Sequence, residues 1–377
     1  MFFLKKIFEK YDLIILGTAL MMTFLGMMCY YPFYKDSSFF SKQSISLVLS
    51  LIAYIVFSNI SIKFYQRKRF VNLLYWLVFG LLLILFLVGS TFSGAKSWIS
   101  LGFFAFQPTD LAKIVLILFL ARYFSRKHLE INKIKHLIIS ALYMLGYFLL
   151  VFVQPDLGSA LIIFGIWFFM ILVFGVSKKY VFIFVSSLLL IAVLMYNFGL
   201  KDYQKKRVDV FIKPGTDILG SGYNIHQANI ALGSGGLWGR GVGEGTQNRL
   251  EFVPESETDF IFSSYMEEWG FVGGVLYLIL MMIFSFRILW FSYTARNNFE
   301  SILSLGILIY FTTHFIFHLG INLDVLPVTG ITLPFMSYGG SHLMIEFLSL
   351  GILNAIRKNN LKFNRNDMEK KEFEVIL

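Results

Sequence analysis

The sequence predicts an all-α polytopic membrane protein with about ten transmembrane helices and one large extracytoplasmic loop between the seventh and eighth helices. Of its 377 residues, 57% are hydrophobic and 15% are charged, whereas soluble domains carry about 25% charged residues. Ten apolar runs are long enough to cross a bilayer, and Lys and Arg cluster on alternate connections between them. The whole chain, 1–377, is therefore predicted to form a single integral membrane domain.

The ten apolar runs follow one another closely, except between the seventh and the eighth. They lie near 12–33, 43–60, 71–90, 109–124, 137–154, 157–176, 180–199, 260–290, 301–322 and 333–356. The long connection, 200–259, is rich in Gly, Asn, Gln and charge. Its centre, GSGGLWGRGVGEGTQ, lacks the Gly-Lys-Ser/Thr ending of a phosphate loop. A flexible lid or a closely packed hairpin is therefore predicted there.

The basic residues predict how the chain is oriented in the membrane. They precede the first run and follow the second, fourth, sixth, eighth and tenth. The positive-inside rule then places both termini, including a tail at 357–377, in the cytoplasm. This topology accounts for the net charge of +10, so no nucleic-acid partner is expected. The single cysteine, Cys29, lies in an apolar run and offers neither a disulfide framework nor a thiolate metal site.

Acidic residues cluster where the long loop meets the eighth run, in VPESETDFIFSSYMEEWGF. Asp259 directly precedes the apolar residues, so capping of the helix and general-base catalysis at the outer membrane surface are equally favoured. Glu257 adds a like charge two residues earlier. Glu267 and Glu268 follow about 12 Å farther along the helix, at a depth where acids are predicted to be paired or functional.

Other polar residues near the ends of the runs have structural and substrate-binding interpretations. Asp110 and Lys113 stand three residues apart on one helix face, which favours an ion pair. Asp156 lies in a tight turn after a proline, where capping of the next helix is expected. Arg207 and Arg240 lie in the outer loop, and a guanidinium can bind phosphate through two hydrogen bonds. Solvated loop charge is the alternative for both arginines.

Five motifs, in order along the chain, resemble the SEDS family. They are WISLGFFAFQPTDLAK, QPDLGSAL, YNIHQANIALGSGGLWGRG, GTQNRLEFVPESETDFIF and LPVTGITLPFMSYGGS. GTQ and LPVTG are more similar to the elongation branch, RodA, whereas Thr332 in GITLP is closer to the division branch, FtsW. The resemblance implies a peptidoglycan glycosyltransferase that polymerises lipid II at the outer face of the bacterial cytoplasmic (inner) membrane, for elongation and rod shape.

The resemblance also implies roles for single residues. The family's essential aspartate, which is proposed to activate the acceptor sugar hydroxyl, maps onto Asp259 in TDFIF. The acid and lysine of the family's QPSE…K pattern map onto Asp110 and Lys113. The QPDLGS aspartate maps onto Asp156, and the arginine after YQ maps onto Arg207. The residues expected to bind substrate are Lys113, Arg207, Arg240, Asp110, Asp156 and Glu257.

A partner and a cation are expected on similar grounds. The resemblance implies a class B penicillin-binding protein, a transpeptidase, which is expected to dock near GGVLYLILMMIF on the eighth and ninth spans. Clustered carboxylates beside a pyrophosphate leaving group suit Mg²⁺ or Mn²⁺, although no carboxylate triad is spaced as a metal site, and no organic cofactor is expected. A flippase that moves lipid-linked precursors without chemistry is the alternative, which the missing internal symmetry disfavours.

The chain departs from the family pattern at several positions. Glu257 stands where His commonly precedes TD, and Asp110 replaces a Glu. His318 replaces an Asn, and His342 follows YGGS where a second Ser is usual. None of these departures removes Asp259, so an active polymerase is expected.

Overall fold

A computed structural model of the chain describes most of the sequence. The described residues are 10–30, 38–88, 90–92, 95–100, 105–127, 133–173, 177, 179, 180, 182, 186, 195–199, 205, 209, 222–250 and 252–376. Residues 362–376 are described as backbone only. Arg207 and most of the seventh predicted span, 180–199, lie outside the described residues.

Helices make up most of the described chain. With their bounds they are α1 (Leu13–Cys29), α2 (Ser38–Asn59), α3 (Ile62–Tyr65), α4 (Lys68–Val88), α5 (Pro108–Lys127), α6 (Ile134–Val153), α7 (Leu157–Val173), α8 (Tyr223–Ser234), α9 (Thr246–Arg249), α10 (Ile261–Tyr293), α11 (Asn298–Asn322) and α12 (Gly340–Ile376). A π-helical turn covers Met195–Gly199. Among the described residues, nine of these helices are long and coincide with nine of the ten predicted spans. The predicted all-α polytopic membrane fold is confirmed.

The outer surface of the bundle is apolar, as expected where helices contact lipid. Five stretches are long and apolar enough to cross a membrane by length and composition, namely Phe39–Asn59, Lys68–Phe86, Ile134–Val153, Ile261–Tyr293 and Asn298–Asn322. α1 and α7 are apolar but shorter. Large apolar side chains such as Trp76, Leu142 and Phe286 point outward and are exposed. Such a contiguous apolar exterior marks a membrane-contacting surface.

The centre of the bundle is α5. Residues Ala112 to Ala121 are buried along the whole helix, which contacts α4, α6, α7, α11 and α12. A helix that is buried on all sides belongs to the core of a large protein or a membrane bundle. The first two turns of α5 carry Asp110 and Lys113, so the fold holds these two charges inside the bundle.

A small antiparallel sheet lies between α4 and α5. Its strands, β1 (Ser90–Phe92), β2 (Ala95–Ser100) and β3 (Ala105–Phe106), pair in the order β1-β2-β3. The sequence analysis assigns no strands to the connection between the predicted runs 71–90 and 109–124, so this sheet is a finding of the structure. Directly after β3, the amide of Gln107 donates to Ser341 Oγ at 2.9 Å, which ties the start of α5 to the start of α12.

The last helix begins later than the sequence predicts. The predicted span starts at 333, whereas α12 starts at Gly340. Pro334 carries no amide hydrogen, and Phe335 has a φ of 63°, which is incompatible with a continuing helix. Residues 333–339 form a turn in which the amide of Leu333 donates to Ser337 Oγ at 2.8 Å. The segment 323–339 is called the α11–α12 loop below.

Candidate active site

The backbone around Asp259 is fixed by α11 and the α11–α12 loop. The amide of Tyr338 donates to the carbonyl of Glu257 at 2.8 Å, and Asn322 Nδ2 donates to the carbonyl of Asp259 at 3.0 Å. The side chain of Asp259 is half-buried. A Cβ placed on Gly330 would lie 3.6 Å from Asp259 Oδ2, so the loop runs directly beside this carboxylate.

The start of α10 is capped from a neighbouring helix. The N-cap position is Phe260, and Asn322 Oδ1 accepts from the amide of Ser263 at 3.1 Å and from its hydroxyl at 2.8 Å. Of the two roles that the sequence favoured equally for Asp259, the N-cap role is therefore not the one that the structure shows, since Phe260 holds that position. The first amides of a helix have no intrahelical acceptors. Asn322 of α11 supplies such an acceptor to the Ser263 amide, which is the function that a local N-cap side chain has in other helices.

The predicted ion pair between Asp110 and Lys113 is present. Lys113 Nζ lies 2.8 Å from Asp110 Oδ1, and both side chains are buried. His342 Nδ1 lies 3.3 Å from the same carboxylate oxygen, and His342 Nε2 lies 3.0 Å from Glu346 Oε1. Glu346 Oε2 accepts from the amide of Phe335 at 3.0 Å. A line of buried polar groups thus joins α5, α12 and the α11–α12 loop, and it is called the buried relay below.

Glu346 is the member of this relay that sequence reasoning missed. It lies four residues after His342, within the tenth apolar run, and residues at this spacing are neighbours on a helix surface. Ionisable residues inside a membrane span are rare and usually paired. The spacing HxxxE in an apolar run was therefore a usable signal for a buried pair.

Asp156 caps α7, as predicted. Its Oδ1 accepts from the amide of Ser159 at 3.0 Å, and its Oδ2 accepts from Gln107 Nε2 at 3.3 Å. Burial raises the pKa of Asp156 above its ordinary value, whereas the Ser159 amide and the Lys113 cation act in the opposite direction. The influence of Lys113 means that Asp156 shares one polar environment with the Asp110 ion pair.

The α11–α12 loop joins this environment to Asp259. A Cβ on Gly158, two residues after Asp156, would lie 2.5 Å from the carbonyl oxygen of Thr329. The next loop residue, Gly330, is the one that lies beside Asp259. Adjacent loop residues therefore contact the start of α7 on one side and Asp259 on the other, which brings Asp110, Lys113, Asp156, Glu257 and Asp259 to one end of the bundle.

Arg240 belongs to a different part of the segment that precedes α10. Its Nη1 donates to Thr246 Oγ1 at 2.9 Å, and its amide donates to the carbonyl of Glu267 at 3.0 Å. The buried Glu267 carboxylate accepts from the amides of Gln247 at 2.9 Å and Asn248 at 3.2 Å. Glu267 is therefore paired, as predicted for an acid at that depth, and it holds α9 in place.

The glycine-rich segment is a closely packed hairpin, which was one of the two predicted forms. α10 is interrupted at Gly270, where φ is 64° and ψ is −166°. The hairpin packs against the backbone at this kink, where the amide of Phe271 donates a hydrogen bond to the carbonyl of Gly236 at 2.9 Å. A Cβ on Gly239 would lie 2.0 Å from the carbonyl oxygen of Glu268. Only glycine permits so close a backbone approach.

The carboxylates of the described residues do not by themselves form a metal centre. In the part of the chain that the structure describes, no three His, Cys, Asp or Glu side chains are grouped so that they could hold an ion. The expected Mg²⁺ or Mn²⁺ therefore has no complete set of protein ligands among these residues.

Comparisons with known proteins agree with this architecture. A family described as "Cell cycle protein", named for FtsW, RodA and SpoVE, matches residues 4–362. A probable peptidoglycan glycosyltransferase FtsW of Wigglesworthia glossinidia brevipalpis is 33% identical over 325 residues, which is 85% of this chain and 84% of the relative. The peptidoglycan glycosyltransferase MrdB of Escherichia coli K12 is 31% identical over 332 residues, which is 88% of this chain and 89% of the relative.

A solved structure shares the fold. It is described as "Structural coordination of polymerization and crosslinking by a peptidoglycan synthase complex", and one of its chains superimposes with a TM-score of 0.81 at 27% identity. The match covers 93% of this chain and 98% of that one.

Proposed function

Because the chain belongs to the FtsW, RodA and SpoVE family of cell cycle proteins, we propose that it is a peptidoglycan glycosyltransferase that polymerises lipid II into glycan strands. Relatives that match most of its length carry that enzyme name. One observation carries the proposal: the half-buried Asp259 stands beside the α11–α12 loop, at the same end of the bundle as the Asp110–Lys113 pair and Asp156.

Asp259 is the general base of the proposed reaction. Its carboxylate takes the proton from the acceptor sugar hydroxyl as the hydroxyl oxygen bonds to the anomeric carbon of the donor sugar. The bond from that carbon to the pyrophosphate oxygen breaks, and the leaving group keeps the electron pair. The fixed backbone on both sides of Asp259 supports this role, because a base must be held within hydrogen-bond reach of the proton that it removes.

The remaining predicted site residues bind or orient substrate in this proposal. Lys113 supplies positive charge for the departing pyrophosphate, and Asp110 holds the Lys113 ammonium in place. Asp156 and Glu257 contact the sugar or peptide portions of the substrate from α7 and from the segment before α10. Arg207 and Arg240 bind phosphate in this proposal. In the described structure the side chain of Arg240 donates hydrogen bonds to the carbonyl of Ser234 and to Thr246 Oγ1.

The test is polymerisation of labelled lipid II by the purified full chain with its cognate transpeptidase. Asp259→Asn is expected to abolish glycan ladders while leaving the melting temperature of the protein unchanged. Asp324→Asn is the matched control, because Asp324 also lies near this end of the bundle and its φ of 57° suits Asn. If Asp259→Asn produces glycan ladders at the wild-type rate, Asp259 is not the general base. Transport of lipid II across vesicles without strand formation would favour the flippase.

We propose the elongation role rather than the division role, on the motifs GTQ and LPVTG. The relatives include members named for both branches at similar identity, so the motifs alone carry this choice. Expression of the chain in Escherichia coli depleted of MrdB is expected to restore rod shape, whereas expression in cells depleted of FtsW is expected to leave division blocked. The reverse pattern would assign the division role.

The proposal includes orientation, a partner and a cation. Asp259 faces outward and both termini face the cytoplasm. This orientation is tested by introducing cysteines at Glu255 and Arg126 and labelling intact cells with an impermeant maleimide.

A class B penicillin-binding protein docks on the exposed apolar face of α10, which includes Val275 and Ile279. Ile279→Trp is expected to reduce co-purification of the penicillin-binding protein, whereas Leu142→Trp on α6 is not.

The proposed cation is tested separately: Mg²⁺ or Mn²⁺ added after chelation is expected to restore polymerisation.

A further inference from the structure

A cavity lies at the end of the bundle opposite Asp259. It has a volume of about 570 Å³ and opens between the last turn of α5, the connection from α3 to α4, and the start of α11. Polar residues line most of it, namely Gln66, Arg122, Ser125, Arg126, Asn297 and Asn298. Since Arg122 follows Asp110 by twelve residues in α5 and a helix rises about 1.5 Å per residue, roughly 18 Å separates Arg122 from Asp110 along the helix axis.

The cavity contains positive charge that the described protein does not neutralise. Arg122 is only 8% exposed, and its Nη1 donates to the carbonyl of Gln66, which carries no net charge. Arg126 follows one helical turn later and adds a like charge on the same face. Among the residues for which the structure gives side chains, no carboxylate forms an ion pair with either guanidinium.

A buried cation without a counter-charge is unfavourable unless an anion joins it. The nearby acid, Glu300, does not serve, because its carboxylate accepts from Asn297 Nδ2 at 3.0 Å and Asn359 Nδ2 at 2.9 Å and does not line the cavity. The start of α11, at Asn298, also borders the cavity, and the positive end of a helix dipole favours an anion there. Cavity, buried arginine and helix start all point to the same class of ligand.

We propose that this cavity binds the phosphate group of an anionic phospholipid. The forked guanidinium of Arg122 matches two phosphate oxygens, and Arg126 reaches the same group from the exposed rim. Basic pockets between transmembrane helices at the cytoplasmic surface bind anionic headgroups in this way.

The surface beside the cavity favours a lipid over a free phosphate ion. α4 begins two residues after Gln66, and its outer face carries Leu73 and Trp76, which are 67% and 58% exposed. A lipid whose phosphate lies in the cavity therefore has an apolar helix face along which its acyl chains can pack. A free phosphate gains nothing from this face.

The test uses the full chain purified in a neutral detergent, with its melting temperature followed as phosphatidylglycerol, phosphatidylcholine or inorganic phosphate is added. Phosphatidylglycerol is expected to raise the melting temperature of the wild type by several degrees. Arg122→Gln and Arg126→Gln are each expected to need about tenfold more lipid for half of the effect, which is about 1.4 kcal/mol. The lipid concentration that Arg122→Lys needs for half of the effect is expected to lie between those of the two Gln variants and the wild type.

The control is Arg69→Gln, which removes an exposed basic residue from the same end of the bundle without touching the cavity. It is expected to respond to phosphatidylglycerol like the wild type. If Arg122→Gln fails to fold, the exposed Arg126 decides the question alone. An unchanged lipid response in Arg126→Gln overturns the site. An equal shift with inorganic phosphate or with phosphatidylcholine overturns the anionic lipid as its ligand.

Discussion

His342 Nδ1 lies 3.3 Å from Asp110 Oδ1, so the start of α12 and the first turn of α5 meet inside the bundle through these two side chains. The same imidazole contacts Glu346 through its other nitrogen. Two buried carboxylates therefore share one histidine, and each depends on it for part of its stabilisation.

Removing that histidine is expected to destabilise the protein strongly. His342→Ala leaves Asp110 and Glu346 without their shared partner, and breaking a buried ion pair costs about 3–5 kcal/mol. The double variant His342→Ala, Glu346→Gln is expected to recover part of this loss, because one of the two buried charges has been removed. Thermal unfolding of the four members of the cycle in detergent measures the coupling.

The matched control for this cycle is His226→Ala, which removes an exposed histidine of α8 and is expected to leave the melting temperature unchanged. If the two substitutions at His342 and Glu346 are additive, the buried relay does not act as a unit.

Lys113 is expected to be required for polymerisation beyond its role in stability. Lys113→Met leaves Asp110 buried without its 2.8 Å partner and removes the positive charge proposed for the pyrophosphate. Asp110→Glu keeps the carboxylate and is expected to retain activity, because the longer side chain still reaches Lys113. Glycan strands per folded molecule are the readout. Wild-type turnover by folded Lys113→Met would restrict Lys113 to a structural role.

The long apolar runs made most of the fold predictable, because a bilayer permits few ways to satisfy the backbone. The ion pair of Asp110 with Lys113 and the cap at Asp156 followed from local spacing. The start of α12 did not, since it follows the positive φ of Phe335, whose amide donates a hydrogen bond to Glu346 eleven residues later.

The N-cap role that the sequence offered for Asp259 was not found for a similar reason. A local rule assigns the cap to the nearest acid, whereas Asn322 reaches Ser263 from a helix about sixty residues away in sequence. The position of Arg240 also depended on a contact that spacing does not reveal, because the hairpin docks on the kink at Gly270. Long-range polar contacts are thus the part of the site that sequence patterns could not supply.

The kink at Gly270 is expected to hold the glycine-rich hairpin in place. Gly270→Ala puts a Cβ 2.2 Å from the amide nitrogen of Gly239 and forces a non-glycine residue to a φ of 64°, which costs about 1–3 kcal/mol. The expected result is a lower melting temperature and faster proteolysis within 235–243. Gly80→Ala is the control, because nothing lies within 4 Å of its added Cβ and alanine favours a helix interior. Equal proteolysis of both variants would contradict the docking.

Asp156 is expected to make stability depend on pH in a direction opposite to that of a salt-bridged acid. Burial raises its pKa in the folded protein, so the folded state holds the proton more tightly than the unfolded state does. Its contribution to stability is therefore complete below the unfolded pKa and is lost as the pH rises through the folded value. Asp156→Asn keeps an oxygen that can accept from Ser159 but removes the titration. As the pH rises above about 4, the ordinary pKa of an aspartate, the melting temperature of the wild type is expected to fall relative to that of Asp156→Asn, while Asp324→Asn follows the wild type. A constant difference between wild type and Asp156→Asn across this range would show that the Asp156 carboxyl does not titrate differently on folding.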